Sequence, residues 1–116
     1  MKNRFKESYD PTDDVFNRGL AVTMSLTDFI VMVDNRGINL SKHVSTYEFR
    51  TNDISVRGKS STSVSDNLIG GLGEDHSFSI KSKDIEEVRS VIFDNNILSA
   101  DFVTKEGNVL TIWWEL

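Results

Sequence analysis

The sequence predicts a mainly β fold with a minor α component. We expect one small antiparallel β domain, built as a partly open barrel or a two-layer sandwich, with one or two short helices. Several short segments alternate apolar and polar residues with a period of two, which is typical of strands with one buried face. Clusters of Gly, Asn, Asp and Ser separate these segments. A chain of 116 residues is long enough for one ordinary domain, so we expect a polar N-terminal segment at residues 1–9 and one β-rich domain at residues 10–116.

The composition excludes several classes of protein. The chain has no cysteine, which excludes a disulfide framework, a thiolate zinc site and a thiol nucleophile. Its longest apolar run, residues 29–33, is far shorter than the roughly 20 residues of a membrane-spanning helix. No apolar stretch follows the basic residues at the start, so the sequence predicts no signal peptide. We therefore expect a soluble, cytoplasmic protein without a cofactor.

The net charge of −5 is unevenly distributed along the chain. Residues 66–116 carry ten acidic and four basic side chains, whereas residues 1–65 are nearly balanced. This distribution disfavours a nucleic-acid-binding protein, because neutralising phosphates requires a clustered positive surface. It suits a basic protein partner, although −5 is also an ordinary charge for solubility.

The N-terminal part has the features of a short helix at residues 11–18. Asp10 is a good N-cap and Pro11 suits the first helical position, while the acidic residues that follow favour the helix dipole. Gly19 ends the helix. The start of a helix accounts for these acidic residues, so a metal site is not needed to explain them.

Two strands are expected next. Residues 20–26 alternate apolar and polar side chains, and residues 29–33 are apolar on both faces, as in a central strand. The Asn-Arg-Gly sequence at residues 35–37 predicts a turn. After it, Ile38 and Leu40 begin a return strand.

The next segment, residues 44–51, predicts a strand with Tyr47 and Phe49 on one side. Residues 53–57 continue it after a break at Asn52.

The segment at residues 58–76 is rich in Ser, Gly and Asp and predicts a long loop. Loops of this length in a compact domain are usually functional or disordered. Its candidate functional residues are Leu68, Ile69, Gly70, Gly71, Leu72 and Gly73.

Residues 77–82 then predict a strand through Phe78 and Ile80, and residues 84–90 predict a short helix whose start resembles a capping box.

The two C-terminal runs, residues 98–104 and 109–116, predict a hairpin, and two registers can be compared. A two-residue loop places Asp101 opposite Ile112, which buries a carboxylate beside a core residue. A three-residue loop at residues 105–107, with Gly107 left-handed, makes every pair on that face apolar, so we predict this register. The apolar pairs are Leu98 with Trp114, Ala100 with Ile112 and Phe102 with Leu110.

This register sends Trp113 and Trp114 to opposite faces, because neighbouring strand residues point in opposite directions. Trp114 enters the core, and Trp113 lies outside among valines and acidic residues. An aromatic anchor with a polar rim is typical of a protein-binding surface. Alternatively, the N-terminal helix, another sheet layer or the long loop covers this patch. The predicted partner-binding residues are Trp113, Val103, Val109, Asp101 and Glu115.

The predicted core residues are Leu20, Val22, Met24, Phe29, Val31, Val33, Phe78, Ile80, Leu98, Ala100, Phe102, Leu110, Ile112 and Trp114.

The sequence contains no catalytic or metal-binding signature. His43 and His76 lie 33 positions apart, and neither belongs to a ligand pair. The glycines at residues 70–73 are not followed by the Lys and Ser or Thr of a phosphate-binding loop. No G-x-S-x-G elbow is present, and no particular carboxylates are predicted to converge. We expect no enzyme activity and no metal site.

The order of three segments loosely resembles bacterial pleckstrin-homology-like domains. These segments are residues 25–28 before an apolar run, residues 83–88, and the hairpin that leads to residues 113–114. The resemblance implies a barrel closed by a C-terminal helix. No helical pattern follows the hairpin, and we do not assign the chain to this family.

The function expected from these features is that of a non-catalytic, acidic interaction protein that binds and blocks a basic partner protein. Immunity proteins that neutralise basic nucleases and viral antagonists of host nucleases have a similar profile of size and charge. One alternative is a small-ligand or peptide-binding β-barrel with residues 58–76 as its lid. Another is a structural subunit of a larger assembly, which is expected to self-associate without a foreign partner. We expect no direct contact with nucleic acid or membrane.

Overall fold

One eight-stranded antiparallel sheet forms the body of the protein. The structure is a computed structural model that describes residues 12–73 and 77–116. In sheet order the strands are β1 (Val22–Met24), β6 (Ile85–Asp94), β7 (Ile97–Thr104), β8 (Val109–Glu115), β2 (Val44–Arg50), β3 (Ser55–Val64), β4 (Leu68–Leu72) and β5 (Ser77–Lys81). The helical segments are a π-helical turn (Asp13–Asn17), α1 (Leu26–Asn35) and two 3-10 turns (Leu40–Lys42 and Ser82–Asp84). The predicted mainly β, antiparallel fold is confirmed, as one open sheet.

The sheet is strongly curled. Strands β5 and β6 lie far apart in the strand order, yet only the 3-10 turn at Ser82–Asp84 connects them. The end of β5 must therefore lie close to the start of β6. Curling creates a concave face, and that face holds the core: the ring of Phe29 on α1 packs 5.3 Å from Phe102 and 6.0 Å from Trp114, measured between centroids.

The strand predicted at residues 29–33 is wrong, because these residues lie within α1. Ser25 caps the helix by accepting a hydrogen bond from the Asp28 amide at 3.1 Å. Phe29, Met32 and Val33 then follow a helical spacing and are all buried against the sheet. A short run that is apolar throughout fits both a buried strand and a helix, and periodicity alone does not distinguish them.

The strand predicted before this helix is shorter than residues 20–26. β1 covers only Val22–Met24, Leu26 begins α1, and Leu20 is 50% exposed. The prediction that Leu20 belongs to the core is therefore wrong. The other thirteen predicted core residues are buried or packed against the core.

The helix predicted at residues 84–90 is also wrong, because β6 begins at Ile85. Ile85, Val88 and Val91 are buried at intervals of three, which imitates a helical spacing. The pairing with β7 shows the reason: its register shifts after Ile85 and again after Arg89, where Ser90 has a φ of 51°. Each irregularity changes which residues face the core, so the usual two-residue alternation of buried and exposed side chains is interrupted.

The long loop predicted at residues 58–76 is largely sheet. Residues 58–64 belong to β3 and residues 68–72 to β4, and a tight turn joins them, with the Ser65 amide donating to the Leu68 carbonyl at 3.0 Å. Residues 74–76 lie outside the described residues. These strands were missed because the middle of the concave face of β3 is polar, with Ser60 and Thr62 buried beside Ser45 of β2, and because β4 is rich in glycine. The three hydroxyls lie within 2.7–3.3 Å of one another.

Several other predictions are confirmed. The strands at residues 44–51 and 77–82 correspond to β2 and β5, and Gly37 forms a turn with a φ of 68°. Two other predictions are wrong. Residues 53–57 do not continue β2, because a turn in which the Thr51 amide donates to the Ile54 carbonyl at 2.9 Å precedes a separate strand, β3, at Ser55–Val64. Leu40–Lys42 form a 3-10 turn and not the start of a return strand.

The predicted N-terminal helix is a π-helical turn at Asp13–Asn17, followed by Gly19 with a φ of 65°. Asp10, Pro11 and the predicted segment at residues 1–9 lie outside the described residues. Among the helices of the described chain, none has the length and hydropathy needed to cross a membrane.

The curled end of the sheet depends on glycine at position 71. A Cβ atom added there would lie 2.3 Å from the Phe78 ring, whereas one added at Gly70 would meet nothing closer than 3.6 Å. We expect Gly71→Ala to destabilise the protein by about 1–3 kcal/mol, because the Phe78 ring must move. Gly70→Ala, one residue away on the opposite face, is the control and should change the free energy of unfolding by less than about 1 kcal/mol. Urea unfolding measures both, and equal effects would contradict the packing described here.

Candidate functional site

The C-terminal hairpin has the predicted register. Leu98 pairs with Trp114, Ala100 with Ile112 and Phe102 with Leu110. The loop also has the predicted form, since Gly107 is left-handed with a φ of 90°. This hairpin occupies the middle of the sheet, between β6 and β2.

Trp114 points into the core, as predicted. It is 0% exposed, and its Nε1–H donates to the Thr62 carbonyl at 3.2 Å. Its ring meets Phe102 edge-on, with centroids 6.2 Å apart. A buried indole N–H that lacked a partner would cost free energy, so this hydrogen bond allows the tryptophan to be buried completely.

Trp113 points to the convex face, and the neighbouring strands complete a surface around it. It pairs with Ser99 on one side and Thr46 on the other, and Ile92 lies beyond Ser99. Trp113 is partly buried by these neighbours. We call the convex surface of β6, β7, β8 and β2 around Trp113 the outer face.

The structure brings the five predicted partner-binding residues onto this outer face. Val103 pairs with Val109, Asp101 lies opposite Thr111, and Glu115 lies opposite Ile97. Val103 is 8% exposed, whereas Val109 and Asp101 are partly buried and Glu115 is exposed.

No helix or strand of the described chain covers the outer face. The helix α1 packs on the concave side, and the π-helical turn contributes Val15 to the same core. The segment expected to form a long loop belongs to the sheet itself. Within the described residues, none of the three elements considered as a cover lies over Trp113.

The charge around Trp113 differs from the acidic setting expected. Arg50 of β2 lies opposite Val109, and Arg89 of β6 lies opposite Asp101. Arg50 donates to the Thr111 hydroxyl at 3.3 Å, and that hydroxyl donates to the Asp101 carboxylate at 2.7 Å. The outer face therefore has an apolar centre and a rim of both charge signs. The hairpin sequence could not indicate this, because both arginines come from strands that only the fold places beside it.

The glycine-rich segment predicted as a functional loop forms β4. Ile69 is fully buried, whereas Leu68 and Leu72 are 42% and 75% exposed on the convex face. Gly73 follows the strand. A shallow groove of about 630 Å³ runs along Leu68 and Leu72 and is lined by several serines. These residues are held in the sheet by pairing on both sides, so they do not form the lid expected from the sequence.

A second candidate site lies on the concave face of the sheet, and the sequence analysis did not predict it. An apolar crevice of about 250 Å³ opens between β2, β3 and β5. Its walls include Phe49, Val56 and Ile80, and its base is the Tyr47–Phe78 ring pair with centroids 4.6 Å apart. The alternation of apolar residues, Tyr47 and Phe49 in β2 and Phe78 and Ile80 in β5, was the available sequence signal.

The described part of the chain contains no group of three His, Asp or Glu side chains placed to hold a metal ion. His43 is partly buried just before β2. His76 lies outside the described residues.

The adjacent tryptophans provide a direct test of the two faces. We expect Trp114→Ala to cost about 3–5 kcal/mol of unfolding free energy, because it empties a buried ring site. Trp113→Ala should cost about 1 kcal/mol or less, the size of a cross-strand contact on an open face. Chemical denaturation of both variants makes the comparison. A large loss for Trp113→Ala would mean that Trp113 is buried by another element and that the outer face is not available for binding.

We compared the chain with protein-family models, with curated proteins and with solved structures. None of the three comparisons found a match.

Proposed function

We propose that the protein is a non-catalytic interaction protein that binds and blocks a partner protein through the outer face around Trp113. The observation that supports this most directly is the combination of a central, partly buried tryptophan with no covering element in the described residues. Tryptophan is among the residues that contribute most to binding energy when a partner buries it.

The residues around Trp113 have the arrangement of a binding surface. Val103 and Val109 extend its apolar centre, and Arg50 and Asp101 form the charged rim through the Thr111 hydroxyl. Thr111 bonds to both charged groups, and these hydrogen bonds restrain the Arg50 and Asp101 side chains before a partner binds. Preordered groups lose less entropy on association, which favours a specific partner.

We propose a basic partner. The chain carries a net charge of −5, and an excess of one sign attracts proteins of the opposite sign over distances of about a Debye length. The arginines of the rim would then select the orientation by pairing with acidic groups at the edge of the contact. Blocking would follow from occupation of the partner's functional surface, as in inhibitors of basic nucleases.

The apolar crevice supports the second candidate function, a small-ligand or peptide-binding protein. Its volume of about 250 Å³ suits one large side chain or a small apolar group, and it lies below the size typical of sites for drug-sized ligands.

Affinity capture from lysate of the source cells, at low and high salt, tests the proposed function. We expect one basic protein to be retained at low salt and released at high salt. The captured protein must then bind the purified chain, and Trp113→Ala should weaken that binding at least about tenfold, the effect of losing a binding hot spot.

Leu72→Ala is the matched control, because Leu72 is 75% exposed on the same convex side but belongs to β4. It should leave the affinity unchanged. Equal affinity of Trp113→Ala and the parent chain for the captured protein would reject the outer face as the binding site.

A further inference from the structure

Among the strands of the described residues, β5 has a free edge. It pairs with β4 on one side and ends the sheet order, and within the described residues no strand pairs with its other side. An unpaired edge presents a row of backbone N–H and C=O groups that another extended chain can bind.

The register identifies which backbone groups face this free edge. The Ser65 amide donates to the Leu68 carbonyl across the β3–β4 turn, so Leu68 bonds to β3. Hydrogen-bonded and non-bonded pairs alternate along an antiparallel ladder, and the backbone N–H and C=O groups of Ile69 and Gly71 therefore face β5. Their partners Ile80 and Phe78 therefore bond to β4. The Ser82 amide continues this alternation by donating to the Asn67 carbonyl at 3.1 Å.

The remaining groups of β5 point away from the sheet. These are the N–H and C=O groups of Ser77, Ser79 and Lys81, spaced two residues apart. They provide the hydrogen-bonding pattern that an added strand requires.

The apolar crevice lies beside this edge. Phe78 and Ile80 of β5 form one wall, and Phe49 and Val56 form the opposite wall. A strand added along β5 would direct alternate side chains to the concave side, where the crevice has room for one of them.

We propose that the free edge of β5 binds an extended peptide segment of a partner, with one apolar side chain of that segment in the crevice. The residues of β5 that face the convex side are two serines and the exposed Lys81. They favour polar or acidic residues at the alternate positions of the peptide. This inference concerns a different surface from the outer face and does not depend on the function proposed for it.

A second copy of the chain is a poorer occupant. In a symmetric pairing of two β5 strands, each copy would offer only Phe78 and Ile80 on the concave side. The Phe78 ring already packs on Tyr47 of its own chain, with centroids 4.6 Å apart. It is therefore not available to fill the crevice of another copy.

The probe for this site is a phage-displayed library of random twelve-residue peptides, selected on the full chain, with the enriched peptides then synthesised. We expect them to share alternating residues with one large apolar position. Ser79→Pro should weaken their binding at least about tenfold, because it removes an edge N–H and places a ring against the added strand. Ser79→Ala keeps that N–H and should bind like the parent. Proline is tolerated in an edge strand when its N–H side faces solvent, so Ser79→Pro should remain folded.

Two further measurements locate the bound peptide. Hydrogen exchange should slow at the amides of Ser77, Ser79 and Lys81 when the peptide is added, while Phe78 and Ile80, already bonded to β4, should change little. Val56→Phe fills the crevice without altering the edge, and it should also weaken binding at least about tenfold.

Several outcomes would overturn the proposal: no enrichment of peptides, equal binding by Ser79→Pro and Ser79→Ala when both are folded, or protection confined to the outer face. Self-association of the parent chain that Ser79→Pro abolishes would also overturn it and would identify a second copy as the occupant. Because Trp113→Ala leaves β5 intact, failure of this proposal is distinguishable from failure of the outer-face proposal.

Discussion

The burial of Trp114 is the interaction on which the rest of the structure depends. Its strand, β8, joins the β6–β7 hairpin to the β2–β5 meander, so one residue lies where both halves of the sheet meet. The ring contacts Phe29 of the helix and Phe102 of β7, and its N–H reaches the Thr62 carbonyl of β3. One side chain thus connects the helix to both halves of the sheet.

The curl of the sheet depends on small and hydroxyl-bearing residues on the concave face. Ser45, Ser60 and Thr62 are buried but bond to one another, and among the described residues no buried side-chain nitrogen or oxygen atom lacks a hydrogen-bond partner. Glycine at positions 58 and 71 gives the rings of Tyr47 and Phe78 the space to meet. Larger residues at these sites would hold β5 away from β2, and the crevice would lose its base.

The same architecture leaves two different surfaces available. All the described helical elements that contribute to the core do so on the concave side, so none of them covers the outer face with Trp113. The curl also brings the end of β5 close to the start of β6, and an apolar crevice opens beside β5. The first surface depends on side chains and the second mainly on backbone groups, so single substitutions can separate their contributions to binding.

The sequence by itself determined the mainly β fold, the C-terminal register and the opposite orientation of the two tryptophans. These features follow from local alternation and from one left-handed glycine, which neighbouring residues suffice to specify. Tertiary structure decided the rest. The run at residues 29–33 is helical because Ser25 caps the helix and the concave face of the sheet buries its apolar side. Irregular pairing with β7 gives the buried residues of β6 a spacing of three. The strands β3 and β4 were missed because serine and glycine are frequent in their sequences, and because the buried hydroxyls of Ser60 and Thr62 on β3 find their partners only in the folded sheet. Arg50 and Arg89 reached the outer face through strand order. Apart from the Ser25 cap, long-range pairing sets these features, and no local pattern in the sequence indicates it.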